Sequence, residues 1–168
     1  MSITMYSASA PRFVHSLKSL SGILTKAESH AAARKIDPMA LLGARLFPDM
    51  FALTRQVQIA TDNAKGAVAR LAGQDVPKYE DTEQSFAELQ QRIAKTTAFV
   101  ESVPADRING SEERKIVLTL RGEEVTFSGL QYLMGHALPN FYFHVVTAYD
   151  ILRHNGVEIG KRDFLGKL

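Results

Sequence analysis

The sequence contains no cysteine among its 168 residues. The chain therefore forms no disulfide and offers no thiolate nucleophile, so any thiol used in its chemistry would come from a second molecule. The absence of cysteine is also compatible with the reducing cytoplasm. A chain of this length without internal repeats, low-complexity segments or linkers is expected to form one domain over residues 1–168.

An excess of one charge and a long apolar run are also missing. The 20 basic and 18 acidic residues leave a formal net charge of +2, and the basic residues are scattered, which argues against a nucleic-acid partner. No apolar run approaches the roughly 20 residues that cross a bilayer, and residues 1–6 lack the basic start of a signal peptide. We therefore expect a cytoplasmic protein without a membrane partner.

Apolar residues at helical spacing predict four long helices. The first apolar stripe includes Phe13, the second includes Phe51, and the fourth includes Leu130 and Phe141. Expected N-terminal caps are side chains that can accept a backbone N–H: Ser9, Asp37, Asp81 or Thr82, and Ser128. The predicted ranges are about residues 11–33, 49–71, 82–103 and 129–155, with a short helical turn at 39–42.

Two β-branched runs, residues 115–120 and 124–127, flank a turn that contains glycine. They predict a β-hairpin on the connection between the third and fourth helices. Pro139 is expected to kink or split the fourth helix at Leu138. The predicted fold class is therefore all-α, a four-helix bundle with a small β-hairpin and a connection that crosses the bundle.

The fourth predicted helix carries His136, Asn140 and His144 at four-residue spacing. This spacing places the three side chains on one face of a segment otherwise rich in apolar residues. Two ligands one turn apart can chelate a metal if a facing helix supplies a third. Since His136 and His144 are about 12 Å apart along the helix axis, Asn140 and His144 form the candidate pair.

The second predicted helix supplies the candidate partners Gln58, Asp62 and Lys65. Asp62 can ligate a metal, pair with Lys65, or hold His144 in one tautomer across the bundle. A solvated face with an ordinary ion pair is the alternative. The candidate ligand pocket is thus Gln58, Asp62, Asn140 and His144, and the candidate ligands for a divalent metal are Asp62, Asn140 and His144.

The other motifs do not assign a reaction. The sequence contains no Ser-His-Asp order, phosphate-binding loop or dinucleotide fingerprint. His15 and His30 lie among polar residues of the first helix and are expected to be exposed. The catalytic residues, if the protein is an enzyme, are therefore not identified from the sequence.

Residues 138–144 (LPNFYFH) and 148–157 (AYDILRHNGV) resemble the DinB-like (YfiT-type) superfamily, and in particular its branch labelled domain of unknown function 1993. Residues 55–60 (RQVQIA) and 160–166 (GKRDFLG) are similar to that branch as well. The resemblance implies a four-helix bundle and a homodimer. It also implies a superfamily of metalloenzymes in which some members use a low-molecular-weight thiol in transferase or isomerase reactions.

The resemblance further implies three histidine ligands for a divalent metal, one from the second helix and two from a His-x-x-x-His pair near the end of the bundle. The second histidine of the pair matches His144, and the first falls on Asn140. Residues 47–73 contain no histidine, so Gln58 or Asp62 stands in the region of the remaining ligand. Two of the three expected ligands are therefore replaced in this chain.

Three hypotheses about the site are open at this point. In the first, the bundle has lost the metal and binds a small molecule in the polar pocket, or acts as a dimeric interaction protein. In the second, it is a metal-dependent transferase or hydrolase that uses His144, Asp62 and a water molecule. In the third, the polar residues only form a hydrogen-bonded network that fixes the register of the helices.

Overall fold

The computed structural model describes residues 2–167. Its long helices are α2 (Ala10–Arg34), α4 (Leu53–Ala72), α5 (Phe86–Ser102) and α8 (Leu138–His154). The shorter helices are α1 (Met5–Ala8), α3 (Pro38–Leu42), α6 (Ala105–Ile108), α7 (Gly129–Tyr132) and α9 (Lys161–Leu165). Strands β1 (Ile116–Leu120) and β2 (Glu123–Phe127) form an antiparallel hairpin. Within the described range, none of the helices is long and apolar enough to cross a membrane.

The predicted all-α fold with a small β-hairpin is confirmed. Helix α4 packs against α5 on one side and α8 on the other, and α2 closes the bundle between α5 and α8. The pairs α2 and α4, and α5 and α8, therefore lie across the diagonals of the bundle, whereas the consecutive helices α4 and α5 are neighbours. In the interior, the fully buried rings of Phe13 and Phe141 meet edge to face at 4.9 Å. Burial of each ring contributes about 1.5–3 kcal/mol.

Helix α4 begins later than its apolar stripe predicts. The N–H of its first residue, Leu53, donates to the carbonyl of Ala44 at 2.9 Å, which holds the preceding chain in a loop. Arg45 also donates to the carbonyl of Met50 at 2.7 Å. Phe51 lies in this loop and is 54% exposed. The expectation that Phe51 faces the core was therefore wrong, because the loop contacts delay the start of the helix until two residues after it.

Helix α5 begins at Phe86, and its cap is Ser85 rather than Asp81 or Thr82. The Ser85 hydroxyl accepts the backbone N–H of Glu88 at 3.2 Å. Serine followed three residues later by glutamate is a strong signal for a helix start. The predicted cap was wrong because Asp81 contacts arginine side chains instead, as described below.

The last long helix starts in two steps. Ser128 caps α7, as predicted, and a π-helical segment, Leu133–Ala137, follows. The N–H of Leu138 donates to the carbonyl of Leu133, five residues back. Because Pro139 has no N–H, it cannot continue the α-helical hydrogen-bond pattern, and the wider turn accommodates the break. The interruption predicted at Leu138 thus takes the form of a π-helical turn.

Two other local expectations were wrong. Leu130 was expected inside but is 47% exposed, since α7 is only a single turn at the surface. Ser9 occupies the cap position of α2, but its hydroxyl donates to the carbonyl of Met5 at 2.6 Å instead of accepting a helical N–H. Asp37, by contrast, caps α3 as predicted.

The chain after α8 folds back onto α2. Asp163 of α9 pairs with Lys26 of α2 at 2.6 Å. The ring Nε2 of His15 hydrogen-bonds the carbonyl oxygen of Leu165 at 2.5 Å. His15 and His30 are consequently half-buried rather than exposed as expected, since the C-terminal segment and its neighbours cover part of this side of α2.

Candidate functional site

His144 is buried between α8 and α4, with 8% of its surface exposed. Its ring Nδ1 lies 2.7 Å from Oε1 of Gln56. The Gln56 amide nitrogen donates to the carbonyl of Phe51 at 3.0 Å, so its oxygen is the atom that faces the ring. Because a carbonyl oxygen only accepts, Nδ1 of His144 carries the proton, and Nε2 is left as an acceptor.

The His144 ring is neutral at physiological pH. Burial, together with the positive charge of the nearby Arg55 guanidinium, lowers the pKa of His144 from 6.5 to about 4. The Nε2 atom of His144 has no hydrogen-bond partner among residues 2–167. In that range, the side-chain atoms that are both fully buried and unpaired are the hydroxyl oxygens of Thr97 and Ser111, so Nε2 is unpaired but not fully buried. The Nε2 atom therefore reaches the surface as a free acceptor.

Two exposed aromatic residues adjoin the His144–Gln56 pair, Phe143 through its ring and Phe51 through its backbone carbonyl. The Phe143 ring lies 5.2 Å from the His144 ring in an edge-to-face arrangement and is 56% exposed. Phe51, whose carbonyl orients Gln56, is also exposed, and the Arg55 guanidinium lies 6.0 Å from its ring centre. The site is thus a buried polar pair with an apolar rim. We refer to His144, Gln56, Phe51, Phe143 and Arg55 as the His144 site.

The rest of the predicted polar face of α8 belongs to an aromatic cluster. The His136 ring stacks on Tyr132 at 5.8 Å and lies the same distance from Phe127 at the end of the hairpin. Burial, assisted by Arg70, lowers the pKa of His136. The Asn140 amide nitrogen is 3.5 Å from both ring nitrogens of His136, which is a contact rather than a strong hydrogen bond. Asn140 therefore contacts this cluster through His136, and lies one turn before His144 on the same face of the helix.

Gln58 and Asp62 do not join His144, and the predicted contact between Asp62 and His144 was wrong. The Gln58 amide nitrogen donates to Glu83 at 2.8 Å, on the side of α4 that faces α5. Each residue of a helix is rotated by about 100° from the one before it. Around the axis of α4, Gln56 is therefore separated from Gln58 by about 200° and from Asp62 by about 240°, and it lies on a different face. The sequence signal for Gln56 is its four-residue spacing to Ala60 in the apolar stripe, which indicates that it faces the interior but not which helix it meets.

Asp62 belongs instead to a second polar cluster around Arg92, which is 4% exposed. One Asp62 oxygen pairs with Lys65 at 2.7 Å and with Arg92 at 2.9 Å. Arg92 also contacts Asp81 and Glu83, each at 3.0 Å. These contacts attach the loop before α5 to α4, so this side of α4 is not the solvated face considered above.

Arg92 and Glu83 of this cluster are each held in the charged form. Burial alone would lower the pKa of Arg92, but its hydrogen bond to Glu83 and the charges of Asp62, Glu83 and Asp81 outweigh burial and raise it. Burial would likewise raise the pKa of Glu83, but hydrogen bonds from Gln58 and Arg92 leave it below its ordinary value. The cluster is therefore a structural support with most of its hydrogen-bonding capacity used internally.

The side chains around His144 do not fit a tightly bound divalent metal. Among residues 2–167, no three histidine, aspartate or glutamate side chains gather in a group that could hold an ion. The Gln56 oxygen already accepts a hydrogen bond from Nδ1–H of His144. Amide oxygens also suit hard cations rather than the metals that imidazole prefers. The positive Arg55 guanidinium, which lowers the His144 pKa, also repels a cation.

Acid should destabilise the protein through His144. The unfolded histidine has a pKa near 6.5, and the folded pKa is about 4, so between these values the unfolded state binds more protons. The stabilisation from the neutral ring should be complete above about pH 6.5 and should disappear as the pH falls to about 4. The free energy of unfolding should decrease by at most about 3 kcal/mol over this range. Urea unfolding across this pH range measures the free energy of unfolding.

A matched pair of variants isolates this effect. His144→Leu should lower the free energy of unfolding and flatten its pH dependence between the two pKa values. His154→Leu changes an exposed histidine at the end of the same helix and should leave the profile nearly unchanged. Identical pH profiles for the wild type and His144→Leu would show that the ring is not held neutral by the fold.

Loss of the Arg92 guanidinium should strongly destabilise the bundle. Arg92→Met leaves Glu83, which is only 12% exposed at its side chain, without its cation. We expect a loss of about 2–4 kcal/mol in the free energy of unfolding. The control is Lys95→Met on the same helix, whose ammonium lies over the Tyr79 ring at an exposed position and should cost less than about 1 kcal/mol. Equal losses for the two variants would contradict the proposed role of Arg92.

Comparison with known proteins identifies the family. Residues 5–165 match the family model described as Domain of unknown function (DUF1993). The chain is also similar to the crystal structure of a dinb family member protein from Shewanella denitrificans, with 43% sequence identity, a TM-score of 0.87, and coverage of 97% of this chain and 92% of that chain. None of the curated proteins matches it. The chain therefore belongs to the DUF1993 family and is a DinB-like protein of that branch.

Proposed function

We propose that this protein binds a small organic molecule at the His144 site without the help of a metal. The observation that carries the proposal is the Nε2 atom of His144, a neutral acceptor that reaches the surface and has no partner among residues 2–167. Gln56 fixes the tautomer, so the acceptor is already oriented before a ligand arrives. A preorganised acceptor of this kind favours binding because little rotational freedom is lost.

The rim of the site defines the chemistry of the ligand. Nε2 requires a donor, such as a hydroxyl or an N–H group, on the ligand. The exposed rings of Phe51 and Phe143 favour an aromatic or other flat apolar body beside that donor. Asn140, one turn from His144 and half-buried, offers a further amide for a polar substituent. The proposed ligand class is therefore small aromatic or apolar molecules that carry one hydrogen-bond donor.

The alternative of a metal-dependent transferase or hydrolase has less support. It requires Asp62 to share a cation with His144, but Asp62 is paired with Lys65 and Arg92 on another side of α4. In the position opposite His144, the chain has Gln56, whose oxygen is already engaged. Metal-assisted activation of water or a thiol therefore has no second strong ligand at this site.

Phenol and anisole test the donor requirement. The two probes have similar aromatic bodies, but only phenol can donate to Nε2 of His144. NMR titration of the isotope-labelled full chain should show phenol binding with shifts at the His144 ring and the Phe143 amide. Anisole should bind about five- to tenfold more weakly, since the fold-change corresponds to the loss of one net hydrogen bond.

Two variants and a metal analysis separate the hypotheses. His144→Leu should remove the preference for phenol, whereas Gln58→Met, on the α5 side of α4, should retain it. Equal binding of the two probes to the wild type would overturn the proposal. A stoichiometric transition metal in protein purified without added metal, absent from His144→Leu, would favour the metal-dependent alternative.

We further propose that the protein forms a homodimer through the outer face of α8. Phe143 and Val146 lie about one turn apart on this face and are 56% and 39% exposed. An apolar face of this kind is stabilised when a second copy covers it, and two-fold symmetry lets one patch serve both subunits. Light scattering coupled to size exclusion should give the mass of a dimer for the wild type.

Substitution of the face should dissociate that dimer. Val146→Asp places a charge in the proposed interface and should shift the mass toward the monomer, with at least a tenfold increase in the dissociation constant, the order expected for a buried unpaired charge. Arg153→Asp also introduces a carboxylate at an exposed position of α8 and serves as the control. A monomeric wild type, or a dimer that withstands Val146→Asp, would contradict the interface.

A further inference from the structure

A groove of about 690 Å³ lies between α2 and the C-terminal segment that contains α9. It is on a different pair of helices from the His144 site, which α4 and α8 form. Gly22 and Ile23 line it from α2, and Arg162, Leu165 and the residues that follow line it from the other side. The groove is large enough for a small organic molecule. A ligand bound there would not touch the His144 site.

The outer wall of the groove is held in place by side-chain contacts. Asp163 pairs with Lys26 at 2.6 Å, and hydrogen bonds from Lys26 and from the Gly160 N–H lower the pKa of Asp163. His15 hydrogen-bonds the Leu165 carbonyl at 2.5 Å. Gly166 lies so close to α2, at a φ of +71°, that an added Cβ would clash with the Ser19 hydroxyl. The wall is therefore fixed on α2 at several points.

The floor of the groove is open at Gly22. A Cβ added to Gly22 would meet no atom within 4 Å, although glycine in the middle of a helix costs roughly 0.5–1 kcal/mol relative to alanine. Beside it, Leu165 is an exposed apolar side chain, with 45% of its surface accessible. The floor and this wall therefore offer apolar surface without a covering residue.

The rim of the groove is positively charged. Lys18, Lys26, Arg162 and Lys167 line it, and Asp163 contributes the one carboxylate that residues 2–167 place there. Lys18 pairs with Glu101 at 2.8 Å, whereas the Arg162 guanidinium has no carboxylate partner in residues 2–167. A guanidinium with free N–H groups is suited to a carboxylate or a phosphate.

We propose that this groove binds a small amphiphilic anion. The acidic head of the ligand lies beside Arg162 and Lys167, and its apolar part lies over Gly22 and against Leu165. Charge complementarity selects the head, and the uncovered apolar surface accommodates the tail. A neutral molecule of the same shape lacks the first interaction, and a small inorganic anion lacks the second.

Octanoate and 1-octanol test the proposal because their chains match and their heads differ in charge. Titration of the ¹⁵N-labelled full chain at neutral pH should show octanoate shifting the amides of Gly22 and Gly166. Octanol should bind about five- to tenfold more weakly. Arg162→Gln should weaken octanoate by about threefold to fivefold, as expected for one partly screened charge contact, and should leave octanol unchanged.

Gly22→Leu provides the decisive variant, because its Cβ meets no atom within 4 Å and Gly22 lines the groove that the longer side chain would fill. It should weaken octanoate at least tenfold while the free energy of unfolding is retained or increased. Ala94→Leu, at an exposed position of α5, is the matched control and should bind octanoate like the wild type. Equal affinity for octanoate and octanol, shifts confined to the His144 site, or unchanged binding by Gly22→Leu would overturn the proposal.

Discussion

The position of α4 between two neighbouring helices is the constraint on which the rest of the structure depends. Because α4 packs against α8 and α5 at once, each of its polar side chains must be matched on one side or the other. Gln56 turns to α8 and orients His144, whereas Asp62 turns to α5 and neutralises Arg92. A helical rotation of about 100° per residue thus divides the helix into a face that meets His144 and a face that meets Arg92.

Much of the fold follows from the sequence because the core stripes are regular. The spacing of Phe13 and Phe141 within their stripes correctly places both in the interior. The errors occur where loop contacts override local patterns: Phe51 precedes α4 because the Ala44 carbonyl holds the chain there. The partner of His144 was missed because Gln56 and Gln58 differ only by a rotation, which the sequence does not resolve without knowing which helix α4 faces.

The His144 site differs from a metal centre in its electrostatics as well as in its ligands. A metal site needs several strong donors and a local field that attracts cations. Here, the single imidazole is held neutral by burial, and Arg55 makes the surroundings more positive. This chain shares its DinB-like architecture with the relative from Shewanella denitrificans. In this chain, that architecture supports a hydrogen-bond acceptor. A fold of this kind therefore does not by itself determine the chemistry of its site.

The π-helical turn at Leu133–Ala137 has a consequence for how sequences of this type can change. A π-helical turn contains one residue more than an α-helical turn needs. Deletion of one residue within it would restore a regular helix and leave α8, including His144, in its present register. The hairpin and α7 would also keep their orientation, because the wider turn already absorbs the extra residue. Length changes of one residue at this point can therefore be accommodated without disturbing the bundle or the hairpin.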